Sequence, residues 1–352
     1  MNLQCDRGTI LVSGGAGYIG SHVTLALKKA GYAPVVLDSL VKGNLWATAH
    51  ATAFRQGDIG DAAFVAAVCD EFQPIAALHF AAFIEVGESV QKPALYFENN
   101  RDKAAVFFRT IAAKGVQNVV FSSTAAVYGE PKVVPIAETA PLKPINPYGQ
   151  SKLEAELALR AVEGVRSVAL RYFNVAGGAP EAGIGEAHVP ESHLIPRLVL
   201  PLIGTPGAIL DGLGLNGGFK VYGTDYATRD GTAVRDYIHV LDLAEAHVLA
   251  LRYLLDGGAT NIFNLGSGAG YSVQEIVTAA RKVLDRADFE PGVAPRRAGD
   301  PATLVADSSK AREVLGWQPQ RGIEAMLASA ADWHRSDLYT DTIKSKVAAA
   351  KS

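Results

Sequence analysis

The stretch "TILVSGGAGYIGSH", residues 9–22, constrains the fold more than any other part of the chain. It begins with a short apolar run typical of a buried strand, followed at once by closely spaced glycines and a helical pattern. Gly14, Gly17 and Gly20 are three residues apart, and Gly15, Gly17 and Gly20 also satisfy G-x-G-x-x-G. Small residues at such a turn let backbone N–H groups approach a pyrophosphate at the helix N-terminus. The segment therefore predicts the first unit of a dinucleotide-binding sheet.

Alternation of strands and helices continues through the first half of the chain. Four further apolar runs are typical of buried strands: Pro34–Asp38, Ile75–Ala82, Asn118–Ser123 and Ser167–Phe173. Helix-length stretches lie between them: Tyr18–Ala30, Ala62–Glu71, Pro93–Ala113 and Pro147–Val162. This alternation indicates a parallel sheet covered by helices on both faces. The predicted fold class is α/β, with a doubly wound parallel Rossmann sheet.

Glycine and proline become frequent after about Ala176, as expected of loops that shape a pocket. The most apolar of these loops, residues 193–210, is interrupted by Arg197 and three prolines, which makes it a poor membrane span. A smaller second region is completed by one late strand and two helical stretches: residues 261–268, Val273–Leu284 and Ser308–Leu315.

The 352 residues are enough for two domains. We predict that residues 1–174 form an NAD-binding Rossmann domain and residues 175–352 a smaller C-terminal α/β substrate domain. A segment around residues 236–266 is a candidate to return to the first sheet. The last residues, 345–352, are expected to fray.

Charge and cysteine content narrow the class of partner. A net charge of −3 argues against nucleic acid or an anionic membrane as the main partner. The two cysteines, Cys5 and Cys69, cannot form a disulfide framework and match no metal-ligand spacing, which indicates a reducing compartment. The first residues lack the long apolar core of a signal peptide. We therefore expect a soluble cytoplasmic protein.

An acidic residue ends the second predicted strand. Asp38 follows Gly20 by 18 residues, and a carboxylate there can accept both ribose hydroxyls while repelling a 2′-phosphate, which favours NAD over NADP. Asp58, in "GDI", is a candidate to hold adenine. The small residues of "HFAA", residues 79–82, stand where the backbone must approach the cofactor.

The histidines are interpreted as structural. His22, His79 and His239 are expected to be packed in the core. No two histidines were expected to combine metal-ligand spacing with a nearby carboxylate, so no metal is predicted.

In "NPYGQSK", a helix opened by Pro147 would place Tyr148 and Lys152 on one face. Tyrosine titrates near ~10, and lowering its pKa to ~7 takes about 4 kcal/mol. One positive charge at ~4 Å supplies about 1 kcal/mol in water but roughly 4 kcal/mol at an effective dielectric constant near ~20. Lys152 can therefore activate Tyr148 only in a site sheltered from water, and an oxidised nicotinamide ring would add a second positive charge.

Three hydroxyl residues, Ser122, Ser123 and Thr124, lie at the C-terminal edge of the fourth predicted strand. The carboxyl edge of a parallel sheet is where open α/β folds bind ligands. A hydroxyl there can hydrogen-bond both a substrate oxygen and the phenol. Together with the glycine turn and the Tyr148–Lys152 pair, these residues predict acid–base catalysis beside a nicotinamide.

The constellation resembles the extended short-chain dehydrogenase/reductase superfamily over nearly the whole chain. Several stretches are similar to the UDP-glucose 4-epimerases in particular: "GGAGYIGSH", "HFAAFIEVGESVQKP", "SSTAAVYG", "INPYGQSK", "LRYFNVAGG", "GTDYATRDGTAVRDYIHVLDLAEAH", "NLGSG" and "PRRAGD". The "GTAVRDYIHV" segment discriminates most, because generic reductases lack it.

The resemblance implies roles for individual residues. The catalytic set is Thr124, Tyr148 and Lys152. The cofactor contacts, which also include Tyr148 and Lys152, are Gly14, Gly17, Tyr18, Ile19, Gly20, Asp38, Asp58, Ile59, Phe80, Ala81, Asn99 and Phe173. The UDP-sugar contacts, which also include Thr124, are Asn174, His193, Leu194, Arg235, Arg297 and Asp300. Two arginines on a diphosphate make independent sense, because guanidinium groups suit phosphate oxygens.

The resemblance also implies an activity, interconversion of UDP-glucose and UDP-galactose through transient oxidation at C4 by tightly bound NAD, and a homodimer. Three features leave the sugar open between hexose, N-acetylhexosamine and pentose, as in UDP-xylose or UDP-arabinose. Ile84 stands where many family members have a lysine that holds the cofactor ribose, and Glu85 beside it adds negative charge. The loop 204–218 is long and could alter the pocket rim, and the size of Leu304 bears on whether an N-acetyl group fits.

The sequence also bears on three rival functions. The 4,6-dehydratases carry acidic residues after the threonine, where this chain has Ala125 and Ala126, which argues against elimination. A plain dehydrogenase would release NADH, and the "GTAVRDYIHV" segment favours epimerisation instead. A non-catalytic NAD sensor would be expected to lack Tyr148 or Lys152, and both are present.

Overall fold

The structure is a computed structural model that describes residues 6–297 and 300–349. The strands of this part of the chain are β1 Thr9–Ser13, β2 Ala33–Asp38, β3 Ala53–Gln56, β4 Ala76–His79, β5 Asn118–Thr124, β6 Arg166–Tyr172, β7 Asn174–Ala176, β8 Lys220–Tyr222, β9 Val234–Arg235, β10 Tyr237–His239, β11 Asn261–Leu265, β12 Tyr271–Ser272, β13 Gly292–Ala294 and β14 Thr303–Leu304. The α-helices are α1 Tyr18–Lys29, α2 Ala62–Phe72, α3 Val86–Gln91, α4 Pro93–Phe97, α5 Ala104–Ala113, α6 Pro147–Arg160, α7 Leu194–Leu202, α8 Gly207–Gly212, α9 Val240–Leu255, α10 Val273–Val283, α11 Ser309–Leu315, α12 Ile323–His334 and α13 Asp337–Ala349.

Seven parallel strands form the central sheet, in the order β11-β6-β5-β4-β1-β2-β3. The chain builds β1, β2 and β3 outward in one direction, then crosses back to place β4 on the other side of β1. The reversal leaves a crevice beyond the carboxyl ends of β1 and β4, the usual ligand site of open α/β sheets. The predicted doubly wound parallel fold is confirmed.

Helices cover both faces of this sheet because neighbouring strand residues point to opposite sides. Ile10 and Val12 face a core shared with α1 and α9, whereas Leu11 faces the opposite core. That second core includes Phe107 and Phe108 of α5, together with residues of α2 and α6. Both faces are therefore buried, as the continuous apolar runs of the strands predict.

Most predicted elements of the first half are confirmed within one or two residues, although the strand predicted over 75–82 spans only β4. The helix predicted over 93–113 runs through α4, a π-helical turn at Glu98–Lys103 and α5. Strand β3 was not predicted from the sequence, because it is an edge strand whose residues are largely half-exposed and do not form an apolar run. Helix α9 was also not predicted from the sequence.

The smaller region contains short sheets and more helix than the sequence suggested. Its strands pair as β10-β7, β12-β9-β14 and β13-β8. The apolar stretch 193–210, interpreted as a loop, instead contains α7 and the start of α8. Helix α7 accommodates Pro196 because the first turn of a helix leaves its N–H groups unpaired. Strand β11 lies beside β6 in the central sheet, as expected of a segment that returns there; the division at residue 174 stays a prediction.

The expectation that residues from 345 onward fray is wrong for Ser345–Ala349, which belong to α13. The buried side chains of Tyr339 and Ile343 hold this helix against Leu213 and Trp333. Residues 350–352 lie outside the described part of the chain. Within residues 6–297 and 300–349, each helix is too short or too polar to span a bilayer.

Candidate active site

A single cavity of about 930 Å³ lies at the carboxyl edge of the central sheet and extends toward the smaller region. All predicted catalytic and cofactor-binding residues line it: Gly14, Gly17, Tyr18, Ile19, Gly20, Asp38, Asp58, Ile59, Phe80, Ala81, Asn99, Thr124, Tyr148, Lys152 and Phe173. The predicted substrate residues Asn174, His193, Arg235, Arg297 and Asp300 line it as well. Leu194 does not, because it packs against the apolar core of the smaller region.

The glycine turn is packed so tightly that side chains there would collide with neighbouring backbone. Gly14 has a φ of +76°, and a Cβ there would lie 2.4 Å from the Ala81 nitrogen. A Cβ on Gly20 would lie 2.3 Å from the Gly14 oxygen. Gly17 precedes α1 and has no side chain that could cap the helix. The N–H groups of the first turn, next to the cavity, therefore have no side-chain partner. The turn can therefore hold a pyrophosphate.

Gly20→Ala is expected to lower the free energy of unfolding by about 1–3 kcal/mol, since the added methyl group overpacks the turn. It should also lower the amount of dinucleotide that copurifies with the protein. Urea unfolding and absorbance after acid release measure the two effects. Gly207→Ala is the matched control, because a Cβ there meets open space. Unchanged stability and dinucleotide content in Gly20→Ala would contradict this account of the turn.

Asp38 is held in place by two backbone donors. Its Oδ2 accepts a hydrogen bond from the Ala16 nitrogen at 3.0 Å, and its Oδ1 accepts one from the Leu40 nitrogen at 2.8 Å. Burial raises the pKa of this carboxyl, and the two backbone bonds oppose the change. Each oxygen keeps a lone pair, so the carboxylate can still accept the two hydroxyls of a ribose.

Tyr148 and Lys152 lie in the first turns of α6, as the sequence predicts. Pro147 is the first helical residue, and the Asn146 side chain caps the helix by accepting from the Gly149 nitrogen at 2.8 Å. The Tyr148 hydroxyl lies near enough to the side chain of Thr124, at the end of β5, for that hydroxyl to lower the pKa of the phenol. The Lys152 ammonium is buried, 4.4 Å from the centre of the Phe121 ring. The three predicted catalytic side chains therefore line the same cavity.

The protein alone does not acidify the phenol. Burial raises the pKa of Tyr148, and the Thr124 side chain only partly opposes this. Burial also lowers the pKa of Lys152 to about 7, although nearby Glu156 opposes the change. Both groups lie in a site sheltered from water, and burial there penalises the charged form of each, so the second positive charge of an oxidised nicotinamide ring stays part of the prediction.

A buried ion pair behind Lys152 was not predicted. Arg171, on β6, donates to Glu156 from Nε at 2.9 Å and from Nη2 at 2.6 Å. Its Nη1 donates to the Tyr128 hydroxyl at 3.1 Å, and Ser123 also bonds Glu156. The network fixes the carboxylate one helical turn from Lys152, where its charge favours the ammonium form of the lysine.

The substrate end of the cavity carries positive charge. Arg235 forms an ion pair with Asp300, and the Arg297 guanidinium lies 4.1 Å from the centre of the Tyr222 ring. The side-chain amide of Asn174 donates to the backbone oxygen of Asp236 at 3.1 Å. Arg296, the neighbour of Arg297 in the sequence, instead pairs with Asp225 at the surface and does not line this cavity.

The histidine predictions are partly confirmed. His22, His79 and His239 are buried, and the His79 ring stacks on Phe121 at 5.7 Å. Burial holds the pKa of His79 well below its usual range, with Lys152 contributing. The statement that no two histidines lie near a carboxylate is wrong. The signal was present in "EAHVPESH", residues 186–193, which brings two histidines and two glutamates together.

The long loop that was expected to alter the pocket rim lies away from the cavity. Segment 204–218 does not line the cavity, because its apolar residues pack against α13 and Trp333. Ile84 and Leu304 do line it. Lys42, from the loop after β2, places its Nζ 3.7 Å from Glu85 and so offsets the negative charge beside Ile84.

Comparison with known proteins identifies relatives over nearly the whole chain. The sequence model described as the NAD dependent epimerase/dehydratase family matches residues 10–266. A UDP-glucose 4-epimerase from Rhizobium meliloti (strain 1021) is 49% identical over 336 residues, covering 94% of this chain and 98% of the relative. The crystal structure of a UDP-glucose 4-epimerase from Brucella ovis in complex with NAD is similar with a TM-score of 0.85 and 42% identity, covering 92% of this chain and 97% of that one. One from Bifidobacterium longum in complex with NAD+ and UDP has a TM-score of 0.83 and 36% identity, covering 94% and 98%.

Proposed function

The chain belongs to the NAD dependent epimerase/dehydratase family, and from this premise we propose that it interconverts UDP-glucose and UDP-galactose by inverting C4 of the sugar with bound NAD. It is an NAD-dependent isomerase with a UDP-sugar substrate. The observation that carries this proposal is that Thr124, Tyr148 and Lys152 line one cavity together with the glycine turn and the two arginines, Arg235 and Arg297.

The residues that would hold NAD are those of the glycine turn and Asp38, whose geometry leaves room for a pyrophosphate and a ribose. When bound, NAD would supply the redox chemistry, a reversible hydride transfer at C4 of the sugar. The protein supplies position and electrostatics.

Tyr148 is the general base and general acid in this proposal. Its oxygen takes the proton from the C4 hydroxyl as the carbon is oxidised and returns it when the carbon is reduced. Thr124, whose hydroxyl lies near the phenol, would orient it. Since burial alone raises the pKa of Tyr148, the positive charges of Lys152 and of the oxidised ring together must favour the phenolate.

The substrate end would hold the nucleotide and leave the sugar free to turn. Arg235 and Arg297 can each donate to diphosphate oxygens, because guanidinium groups match phosphate geometry. Beside Thr124, Ala125 and Ala126 present only methyl groups to the cavity. A methyl group cannot transfer the protons that elimination of water requires, so the site favours epimerisation over dehydration.

A substrate panel tests the proposal. We expect purified protein to interconvert UDP-glucose and UDP-galactose without added NAD, because the cofactor is regenerated in each cycle. Product chromatography would follow UDP-glucose, UDP-N-acetylglucosamine and UDP-xylose in parallel. Turnover of UDP-xylose or UDP-N-acetylglucosamine without UDP-glucose would reject the hexose assignment and point to the cavity wall at Leu304 and Ile84.

We also propose that the protein is a cytoplasmic homodimer that packs through helices of the cofactor domain. Exposed apolar side chains lie on α3, α4 and α6: Val90, Leu95 and Leu157. We expect light scattering after size-exclusion chromatography to give twice the chain mass and Leu157→Glu to reduce it. A monomeric wild-type protein at micromolar concentration would reject the dimer.

A further inference from the structure

Four side chains of one short segment meet at the wall of the cavity, where Glu186, His188 and His193 line it. None of them belongs to the proposed catalytic set, although His193 is also a predicted UDP-sugar contact. The ligand atoms of Glu186, His188, Glu191 and His193 all lie within 4.8 Å of one another. The Glu186 Oε1 lies 2.9 Å from the Nδ1 of His188 and 2.6 Å from the Nδ1 of His193. The same His193 nitrogen is 3.4 Å from Glu191. Two nitrogens and two carboxylates therefore face a common centre.

The two carboxylates are buried, and their partners lie within the same segment: the Glu186 Oε1 is hydrogen-bonded to the Nδ1 of His188 at 2.9 Å, and the Glu191 Oε1 accepts from the backbone nitrogen of His193 at 2.8 Å. Glu186 is 3% exposed and Glu191 is 2% exposed. Within the described part of the chain, neither forms an ion pair with a lysine or arginine. Burying carboxylates is costly unless a positive charge or hydrogen bonds compensate them. With both imidazoles neutral the cluster carries two negative charges, which one divalent cation would balance.

The contact geometry is consistent with a shared centre. The Nδ1 of His193 is buried and makes no hydrogen bond of ordinary geometry, despite its short distance to Glu186. Protonated His193 is the rival source of positive charge, since Glu186 and Glu191 raise its pKa well above the usual value although burial opposes this. The rival needs no metal, and the experiment below separates the two.

The backbone that carries these ligands is fixed by its neighbours. The Trp333 Nε1 donates to the backbone oxygen of Glu186 at 2.7 Å, and the Lys346 Nζ donates to the backbone oxygen of Ala187 at 3.1 Å. The backbone nitrogen of Glu191 donates to the backbone oxygen of Leu213 at 3.1 Å, and the backbone oxygen of Glu191 accepts from the Arg197 side chain at 3.0 Å. Because the segment is already ordered, binding an ion would cost little conformational entropy.

We propose that Glu186, His188, Glu191 and His193 bind one divalent transition-metal ion of the zinc class. Imidazole nitrogens with carboxylate oxygens suit zinc, whereas calcium and magnesium prefer oxygen alone. Atoms bound to one ion at about 2.1 Å lie at most about 4.2 Å apart, so small side-chain rotations close the set. Four protein ligands leave no open position, so the ion would stabilise this segment rather than take part in the reaction.

The test uses untagged protein, stripped with a chelator and then equilibrated with zinc chloride alone. We expect one zinc per chain by mass spectrometry of the metal, a higher Tm with zinc, and visible absorption bands when cobalt replaces zinc. His188→Gln should weaken zinc binding by at least about tenfold, since changes even beyond the direct ligands cost that much. His50→Gln, which removes a histidine outside the cluster, should bind zinc like the wild type.

Failure to bind zinc, or equal binding by wild type and His188→Gln, would overturn the proposal. The first result would assign the cluster to a protonated His193, and the second would place the metal elsewhere. Circular dichroism of His188→Gln without metal shows whether the variant folds, and Glu191→Gln provides a second ligand variant. Epimerase activity is measured separately, so its loss or retention does not decide the outcome.

Discussion

Tyr148→Phe is expected to lower turnover by at least about a hundredfold while the dinucleotide stays bound. The substitution removes one oxygen, which is the atom that would exchange a proton with the substrate. The ring remains in the wall of the cavity, and the glycine turn that would hold the cofactor is unchanged. Binding and chemistry should therefore separate in this variant.

The measurement compares turnover of UDP-galactose with the dinucleotide content of the same preparation. Tyr253→Phe is a matched control, because its ring packs against Phe263 away from the cavity. It should retain normal turnover. Near-normal turnover in Tyr148→Phe would reject the acid–base role, and loss of dinucleotide would show that the phenol acts in binding instead.

Arg171→Met is expected to lower the free energy of unfolding by about 3–5 kcal/mol, because it leaves the Glu156 carboxylate buried without its partner. Arg171 is 1% exposed and Glu156 is 3% exposed, so water cannot replace the lost bonds. Methionine fills much of the same volume, which keeps a cavity from dominating the result. Urea unfolding measures the change.

Two further variants isolate the cause. Arg101→Met breaks a more exposed pair with Glu154 and should cost about 0–1 kcal/mol. Arg171→Met combined with Glu156→Met removes both charges and should recover much of the loss. A loss as small as that of Arg101→Met, or no recovery in the double variant, would contradict the assigned role of the buried pair.

The sequence predicts the parts of the molecule that depend on local spacing. The glycine turn, the apolar strands and the start of α6 at Pro147 follow from backbone and periodicity rules that act over a few residues. The Tyr148–Lys152 pair falls on one helix for the same reason. The parallel, doubly wound sheet follows from the alternation of strands and helices along the chain.

The remaining features depend on contacts between distant segments. Nothing near Arg171 in the sequence indicates that Glu156 pairs with it, because the partners lie on a strand and a helix that meet only in the fold. The pKa of Tyr148 likewise follows from burial, which a sequence does not give. Glu186 and His193 were closer to being predictable, since their segment contains the whole cluster, but the spacing was not recognised.

The central claim is that the hydrogen at C4 leaves the sugar as hydride and returns to the same carbon. UDP-galactose carrying deuterium at C4 tests this directly when converted in ordinary water by protein without added NAD. Magnetic resonance of the product should show UDP-glucose with deuterium still at C4. UDP-glucose with hydrogen from water at C4 would contradict the account.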